Sequence, residues 1–287
     1  MKIILVTGAN GQLGRAIREQ YANDTDVQLY NTDVIEAENV HKLDITNVEE
    51  VVKIIDDIKP YAIINCAAHT GVDACETDVD NAYKINAIGP RNLSIAAERV
   101  GAKMIHISTD YVFEGNGTKP YNEFDDPNPQ GIYGKTKLEG EKFVKEFASR
   151  PFIIRTAWLY GDGKNFVKTM LRLAENNDEV RVVGDQFGSP TSTKVLADII
   201  NTLIWTDNYG TYHGTCEGEC SWADFTEEIF RLRGLTTKVN HITTVEYPTP
   251  AKRPAYSVLD NYMLKLVSGY VAKDWKEAIK EYLSNMN

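Results

Sequence analysis

Tyr133 and Lys137 stand four residues apart in Tyr133-Gly134-Lys135-Thr136-Lys137, so on a helix they share one face. That pairing suits acid–base work on a carbonyl. Reducing a ketone needs a hydride donor and an acid for the nascent alkoxide; a phenol, with an ordinary pKa of about 10, is a weak acid for this near neutrality. Lowering it by ~2–3 units takes about 3–4 kcal/mol. An ammonium some ~4–5 Å away supplies about that much at an effective dielectric of ~20. Lys137 is spaced to do so, and could also hold a nicotinamide ribose. Upstream, Ser108-Thr109-Asp110-Tyr111-Val112-Phe113 ends an apolar run. Thr109 there would hydrogen-bond a substrate carbonyl, although Thr109 and Asp110 also read as turn chemistry after a strand. Tyr-x-x-x-Lys alone is a common surface pair; its combination with a strand terminus gives it meaning.

A second group of residues could hold a dinucleotide. Gly8, Gly11 and Gly14 lie in Thr7-Gly8-Ala9-Asn10-Gly11-Gln12-Leu13-Gly14, between the first apolar run and the first helical stretch. One glycine permits the tight turn, one lets the main chain approach a pyrophosphate, and one lets helix pack on strand. Free N–H groups at the helix start would then meet the phosphates. The spacing Gly-x-x-Gly-x-x-Gly departs from the simplest Gly-x-Gly-x-x-Gly fingerprint. Asp33, about 20 residues on, would accept from the adenosine ribose hydroxyls and favour NADH over NADPH. Arg15 and Arg18 would soften that preference by meeting a 2′-phosphate, so the cofactor is NADPH or NADH.

These groups need a scaffold, and the first half of the chain alternates strands with helices. Lys2–Thr7, Val27–Asn31, Ala62–Asn65, Lys103–Ser108 and Phe152–Thr156 read as strands. Gly11–Tyr21, Val48–Ile58 capped by Asn47, Asp78–Val100 and Tyr133–Phe147 read as helices. Short, nearly continuous apolar strands between helices imply an α/β, Rossmann-type doubly wound parallel sheet covered on both faces. Ligands bind at the carboxyl ends of such strands. After Trp158 the rhythm loosens into helices at 167–176 and 195–205, an extended run at 180–183, a helix at 222–231 capped by Ser221 with Asp224 in the capping-box position, and a last helix at 275–283. The expected organisation is a dinucleotide-binding domain at 1–157 and a mainly substrate-binding lobe at 158–287, with some segments returning to the main domain.

The formal net charge of −10 opposes nucleic acid and anionic membranes as partners. Any phosphate-bearing ligand must be held by local groups. Cys66, Cys75, Cys216 and Cys220 are too few for a disulfide framework in a chain this long and suit a reducing compartment. Thr7-Gly8 interrupts the run Ile3–Val6, unlike a signal peptide, and no apolar stretch approaches the ~18 residues of a membrane span. The cytoplasm is the expected location.

Together, Thr7–Gly14, Ser108–Phe113, Tyr133–Lys137 and Arg155-Thr156-Ala157-Trp158 resemble the motifs of the dTDP-4-dehydrorhamnose reductases, a family of extended short-chain dehydrogenases. Asn165–Met170, Asp185–Thr191 and Lys252-Arg253-Pro254 carry the resemblance across nearly the whole chain. It implies reduction of dTDP-4-dehydro-L-rhamnose to dTDP-L-rhamnose by NAD(P)H. It also implies roles: Tyr133 as proton donor, Lys137 as its partner, and Thr109 as carbonyl ligand with Asp110 beside it at the substrate. Gly11, Gln12 and Leu13 would meet the pyrophosphate, Asp44 and Ile45 would flank the adenine, and Ala67, Ala68, His69 and Thr70 would line the cofactor. Trp158 would pack on the sugar, although a tryptophan after an apolar strand also reads as core.

Some members of that family dimerise around Mg²⁺ held by glutamates, where this chain has Ala16 and Lys194. An alanine offers no ligand and an ammonium repels a cation, so the expectation is no metal requirement, and a monomer or a weak homodimer not bridged by metal. His213, Cys216 and Cys220 have metal-like spacing without an evident fourth ligand, and packing is the better reading. Glu114, Glu123, Asp125 and Asp126 read as a solvated rim. Two rival readings stand beside the reductase: a non-catalytic dinucleotide-binding regulatory subunit, which would not need Thr109, Tyr133 and Lys137 together, and a reductase or epimerase of another nucleotide-linked 4-keto sugar, of which the epimerase would want a second acid–base pair near the sugar.

Overall fold

A computed structural model describes residues 1–286. The middle of its central sheet is built from apolar runs that leave no face for water. Strand β1 (Lys2–Thr7) pairs in parallel with β2 (Val27–Asp33) on one side and β4 (Ala62–Asn65) on the other. Beyond β2 lies the short β3 (His41–Lys42); beyond β4 lie β5 (Lys103–Thr109) and β6 (Pro151–Thr156). Ile4, Leu5, Val6, Ile63, Ile64, Ile105 and Ile154 are fully buried. Residues facing opposite sides join two separate clusters: Ile4 and Ile64 one, Leu5 and Ile63 the other. Strands β1, β4, β5 and β6 are therefore covered on both faces, as their unbroken hydrophobicity predicts, while β2 and β3 towards the edge keep exposed residues. Strand order reverses about β1, between β2 and β4, so the crevice at the carboxyl ends there is the topological switch point.

Helices α1 (Gln12–Gln20), α2 (Val48–Ile58), α5 (Gly89–Val100) and α6 (Ile132–Phe147) carry the crossovers, with the short α3 (Val72–Cys75) and α4 (Val79–Tyr83) ahead of α5. The helical stretch at 78–100 is one run containing a π turn at Lys84–Ile88. Pro90 has no N–H to give the carbonyl of Asn86, and the ladder widens there. The Asn86 side chain accepts from the His69 N–H at 2.8 Å and donates to the His69 carbonyl and the Thr136 hydroxyl, both at 3.1 Å. It ties the loop after β4 to α6. Gly140 permits the approach, since a Cβ there would lie 2.2 Å from the Asn86 carbonyl oxygen.

The second half is interleaved with the first. Strands β7 (Leu159–Tyr160), β8 (Glu179–Val183), β9 (Phe187–Gly188), β10 (Thr191–Ser192), β12 (Cys220–Ser221) and β13 (Lys238–Ile242) make three two-stranded sheets: β7 with β10, β9 with β12, and β8 with β13. Helices α7 (Phe166–Ala174), α9 (Trp222–Arg233), α10 (Tyr262–Ser268) and α11 (Trp275–Ser284) accompany them. The capping box at Ser221 and Asp224 forms as its spacing predicts. Strand β11 (Gly210–His213) instead joins the main sheet beside β6, and α8 (Thr193–Ile204) packs against α1, where the Tyr21 hydroxyl donates to Asn201 at 2.7 Å. The extended run Gly210–His213 had no clear signal of its own, being short and flanked by polar residues.

Because the Gly140 contact is with backbone, Gly140→Ala is expected to destabilise the fold by about 1–3 kcal/mol. A lowered urea midpoint at unchanged slope checks this; an unaltered midpoint contradicts the packing.

Candidate active site

The glycine loop takes the shape its spacing demands. Gly8 has φ +65°, and a Cβ on it would lie 2.7 Å from the Ala67 backbone nitrogen. The Gly11 N–H donates to the Gly8 carbonyl at 3.0 Å, closing the turn. A Cβ on Gly14 would come within 2.3 Å of the Gly8 carbonyl oxygen. Helix α1 starts at Gly11 with no side-chain cap, so its first-turn N–H groups remain available beside the cleft that Gly8, Gly11, Gln12, Leu13 and Gly14 line. These features fit a dinucleotide pyrophosphate.

Asp33, at the end of β2, lines the same cleft and accepts from the Asn10 N–H at 3.0 Å and the Ile35 N–H at 3.2 Å. Arg15 is turned elsewhere, donating to the Asn10 carbonyl and pairing with Asp162 at 2.9 Å. Asp44 folds its own turn by accepting from the Thr46 N–H and hydroxyl, and Asp44 and Ile45 form one wall, facing Ala67, Ala68 and Thr70 after β4. His69 does not line the cleft. Its backbone is held by Asn86, while its imidazole lies 3.5 Å from the Cys75 sulfur and 3.7 Å from Asp78. Local sequence placed the residue but not the direction of its ring.

At the carboxyl ends of β5 and β6, the cleft of about 770 Å³ also takes in Thr109, Asp110, Tyr133, Lys137 and Trp158. Thr109 donates to Asp110 Oδ1 at 2.9 Å and accepts from the Tyr111 N–H at 3.2 Å. Tyr133 opens α6, edge-on to Tyr111 with ring centres 5.5 Å apart. Lys137 Nζ donates to the Ile107 carbonyl at 2.6 Å and lies 3.5 Å from His106 Nε2. Burial lowers the Lys137 ammonium to about 8. Burial also raises the Tyr133 phenol above its ordinary value, reinforced by Asp110 and opposed by the Thr109 hydroxyl. Spacing alone led to an expected lowering by Lys137; in this geometry burial is the leading influence on the phenol and Lys137 is not among the main ones, because phenol and ammonium are both shut away from water.

Several residues that shape the site were missed by local reading. Glu141 accepts two hydrogen bonds from Arg155, at 2.9 and 2.7 Å, and one from Ser108 at 2.5 Å, all buried. It repeats the spacing of Tyr133 and Lys137 by one more helical step, which was a usable signal. Trp158 adopts φ +49° and stacks on Trp222 with ring centres 3.5 Å apart, while Gly188 fits against the indole only for want of a Cβ. Trp222 also lines the cleft; nothing in its own neighbourhood marks it. Glu123, read as rim, instead accepts from the His213 N–H at 2.8 Å and the Met263 N–H at 3.2 Å. His213 is wholly buried and held by burial near a pKa of about 3. Among the described residues its ring and the Cys216 and Cys220 thiols do not converge as metal ligands; the one such grouping is the exposed Asp224, Glu227 and His241. At Lys194, where the resemblance implied a bridging glutamate, the ammonium lies 3.5 Å from Asp198 and 3.7 Å from Glu281, and a cation there would meet its repulsion.

A glycine loop at the switch point and a threonine, tyrosine and lysine at the carboxyl edge define a nicotinamide-dependent reductase of the short-chain dehydrogenase type. The model of the RmlD substrate binding domain family matches residues 1–287. The chain is 42% identical over 293 residues to a dTDP-4-dehydrorhamnose reductase of Aggregatibacter actinomycetemcomitans, covering 98% of each. Among solved structures, it resembles that enzyme from Clostridium acetobutylicum with 56% identity and a TM-score of 0.95, covering 98% of each chain. It also resembles the Bacillus anthracis enzyme in complex with NADP, with 42% identity, a TM-score of 0.93 and 100% of each chain covered. The chain belongs to the dTDP-4-dehydrorhamnose reductase family.

Burial raises the Asp110 carboxyl from 3.8 to about 6, against the smaller opposing influence of the nearby Ser257 and Thr109 hydroxyls. A raised folded-state value makes this group stabilising below pH ~4, with that contribution lost as pH climbs through about 6. The shift corresponds to about 3 kcal/mol. Asp110→Asn, which cannot ionise, is therefore expected to gain about that much relative to wild type between pH ~4 and ~7. Urea unfolding of both proteins at the two pH values reads this, and a constant difference would refute it.

Proposed function

We propose that this protein reduces the 4-keto group of dTDP-4-dehydro-L-rhamnose to give dTDP-L-rhamnose, using NADPH or NADH. One observation carries the reading: the glycine loop, Asp33, Thr109, Tyr133 and Lys137 all line one continuous cleft. Family membership, and the reductases named among its relatives, supply the substrate. Bound NAD(P)H supplies the hydride. Gln12, Leu13 and Gly14 present α1 backbone donors to the pyrophosphate, and Asp44 and Ile45 flank the adenine. Lys137 is placed to hold the nicotinamide ribose and stabilise charge at the Tyr133 oxygen.

Tyr133 is the proton donor. The phenol is protonated at neutral pH and can give its proton to the alkoxide, a stronger base, that forms beside it. Burial makes it the weaker acid, so transfer relies on the charge developing on the substrate oxygen. Thr109 orients the carbonyl, and Trp158 with Trp222 supplies the aromatic wall for the sugar. With an ammonium where bridging glutamates would stand, the protein works as a monomer or through a contact that needs no metal. No helix of the described residues is long and apolar enough to cross a membrane, and a cytoplasmic location suits a biosynthetic reductase with four free cysteines.

Tyr133→Phe is expected to lower kcat by about 10²–10⁴-fold with cofactor affinity little changed. Loss of reduced-cofactor absorbance with dTDP-4-dehydrorhamnose, and fluorescence titration with NADPH, measure the two; a variant as active as wild type removes the phenol from the mechanism. Asp33→Asn should shift the kcat/KM ratio from NADH toward NADPH by about tenfold, as expected for an acidic ribose ligand. An unchanged ratio would mean that Asp33 serves the Asn10 turn alone.

A further inference from the structure

The Thr109 hydroxyl has a single hydrogen and, as found, gives it to Asp110 Oδ1 at 2.9 Å while accepting from the Tyr111 N–H. So committed, it has no proton for a ketone oxygen. We infer that Asp110 acts as a neutral carboxylic acid whose O–H donates to Thr109, turning the threonine hydrogen toward the substrate carbonyl beside Tyr133. Resting on the reductase reading above, this makes Asp110 a positioning residue that works through Thr109. The hydroxyl oxygen then accepts from Asp110 and Tyr111 and donates once, which fills its capacity. The ketone oxygen receives two donors, Thr109 and Tyr133. No net proton passes through Asp110: the carboxyl keeps its hydrogen, and the proton delivered to the alkoxide is the phenol's.

The surroundings of Asp110 favour the acid form. The residue is 2% exposed, and Oδ2 is buried with no hydrogen-bond partner. An ionised oxygen there would be a buried charge without a donor, whereas a neutral carboxyl needs none at that atom. The groups facing it carry no charge: the Thr109 and Ser257 hydroxyls and the Asp110 and Tyr111 N–H groups, which oppose burial without outweighing it, with the Tyr111 and Tyr133 phenols beyond. Cys75 faces Tyr133, and burial raises its thiol too. The cation on this side, Arg253, pairs with Asp73 at 2.7 Å and lies near the Tyr111 phenol. Lys137 is directed at the Ile107 carbonyl. Burial already raises the carboxyl to about 6, and a sugar that excludes water from the cleft pushes the same way. A carboxylic acid held neutral in an apolar site so that it can donate is an established catalytic device in other enzymes.

Asp110→Asn tests this, because an amide N–H can replace the acid O–H toward Thr109 and never ionises. Reduction of dTDP-4-dehydrorhamnose with saturating NADPH would be followed from about pH 5 to 7.5, below the value of about 8 to which burial lowers Lys137, for wild type, Asp110→Asn and Asp110→Ala. Wild type should lose about tenfold per pH unit above the Asp110 titration. The Asn variant should stay within about threefold of the wild-type plateau without that alkaline loss, and the Ala variant should fall about tenfold or more at every pH. An Asn variant that keeps the wild-type alkaline loss, or is folded but inactive, overturns the proposal. Infrared difference spectra of wild type against Asp110→Asn give a readout independent of substrate. A protonated carboxyl band titrating at or above pH 6 supports the neutral acid, and one titrating near 4 overturns it. Wild-type protein that fails to turn over this substrate would sink the reductase reading instead, leaving the infrared titration to judge Asp110.

Discussion

A buried ion pair decides where the chemistry happens. Glu141 and Arg155 meet in a two-pronged contact with almost no solvent access, and Ser108 joins them from the strand that ends at Thr109. The pair bolts α6 to the carboxyl ends of β5 and β6. Tyr133, Lys137 and Glu141 fall at successive helical steps on α6, so fixing the last fixes the other two. Desolvating two charges is costly, and such pairs add little net stability against an apolar replacement. Their value here is geometric: a misplaced partner would leave a bare charge in the core, so the helix has one acceptable seat.

Burial then shifts the titratable groups packed around the end of β5 and the start of α6. Lys137 is pushed down to about 8, His106 well below its ordinary value, Asp110 up to about 6, and Tyr133 upward as well, with desolvation the leading cause each time. Each shift runs toward the neutral form. A site of this kind needs little Coulombic tuning by neighbours, because exclusion of water already sets which protons are held. It also explains why the phenol–ammonium distance is a poor guide to the tyrosine: the two groups share a dry environment that acts on both.

The second half of the chain completes the cleft by contacts at long sequence separation. Trp222 stacks on Trp158, Arg253 reaches Asp73 and Tyr111, and Glu123 takes the His213 N–H. The left-handed backbone at Trp158 is held by this packing, with Gly188 on the indole and Trp222 on its face. Strain of that kind persists only where the surroundings over-determine it.

Local sequence determined the parallel sheet, because strands buried on both faces read as unbroken apolar runs. It determined the glycine turn, because only Gly8, Gly11 and Gly14 leave room for backbone to meet backbone. The shared face of Tyr133 and Lys137 was legible too, since helical spacing is a local property, and so was the Ser221 cap. What lies across the cleft was not. Trp222, the orientation of the His69 ring, the engagement of Glu123 and the return of β11 to the main sheet all depend on partners tens of residues away, and periodicity marks a buried face without naming its neighbour. The direction of the Tyr133 shift was likewise a tertiary matter. An i, i+4 spacing states which charges are close, but only the packed molecule states how much water has been removed from around them, and here the removal of water is the larger effect.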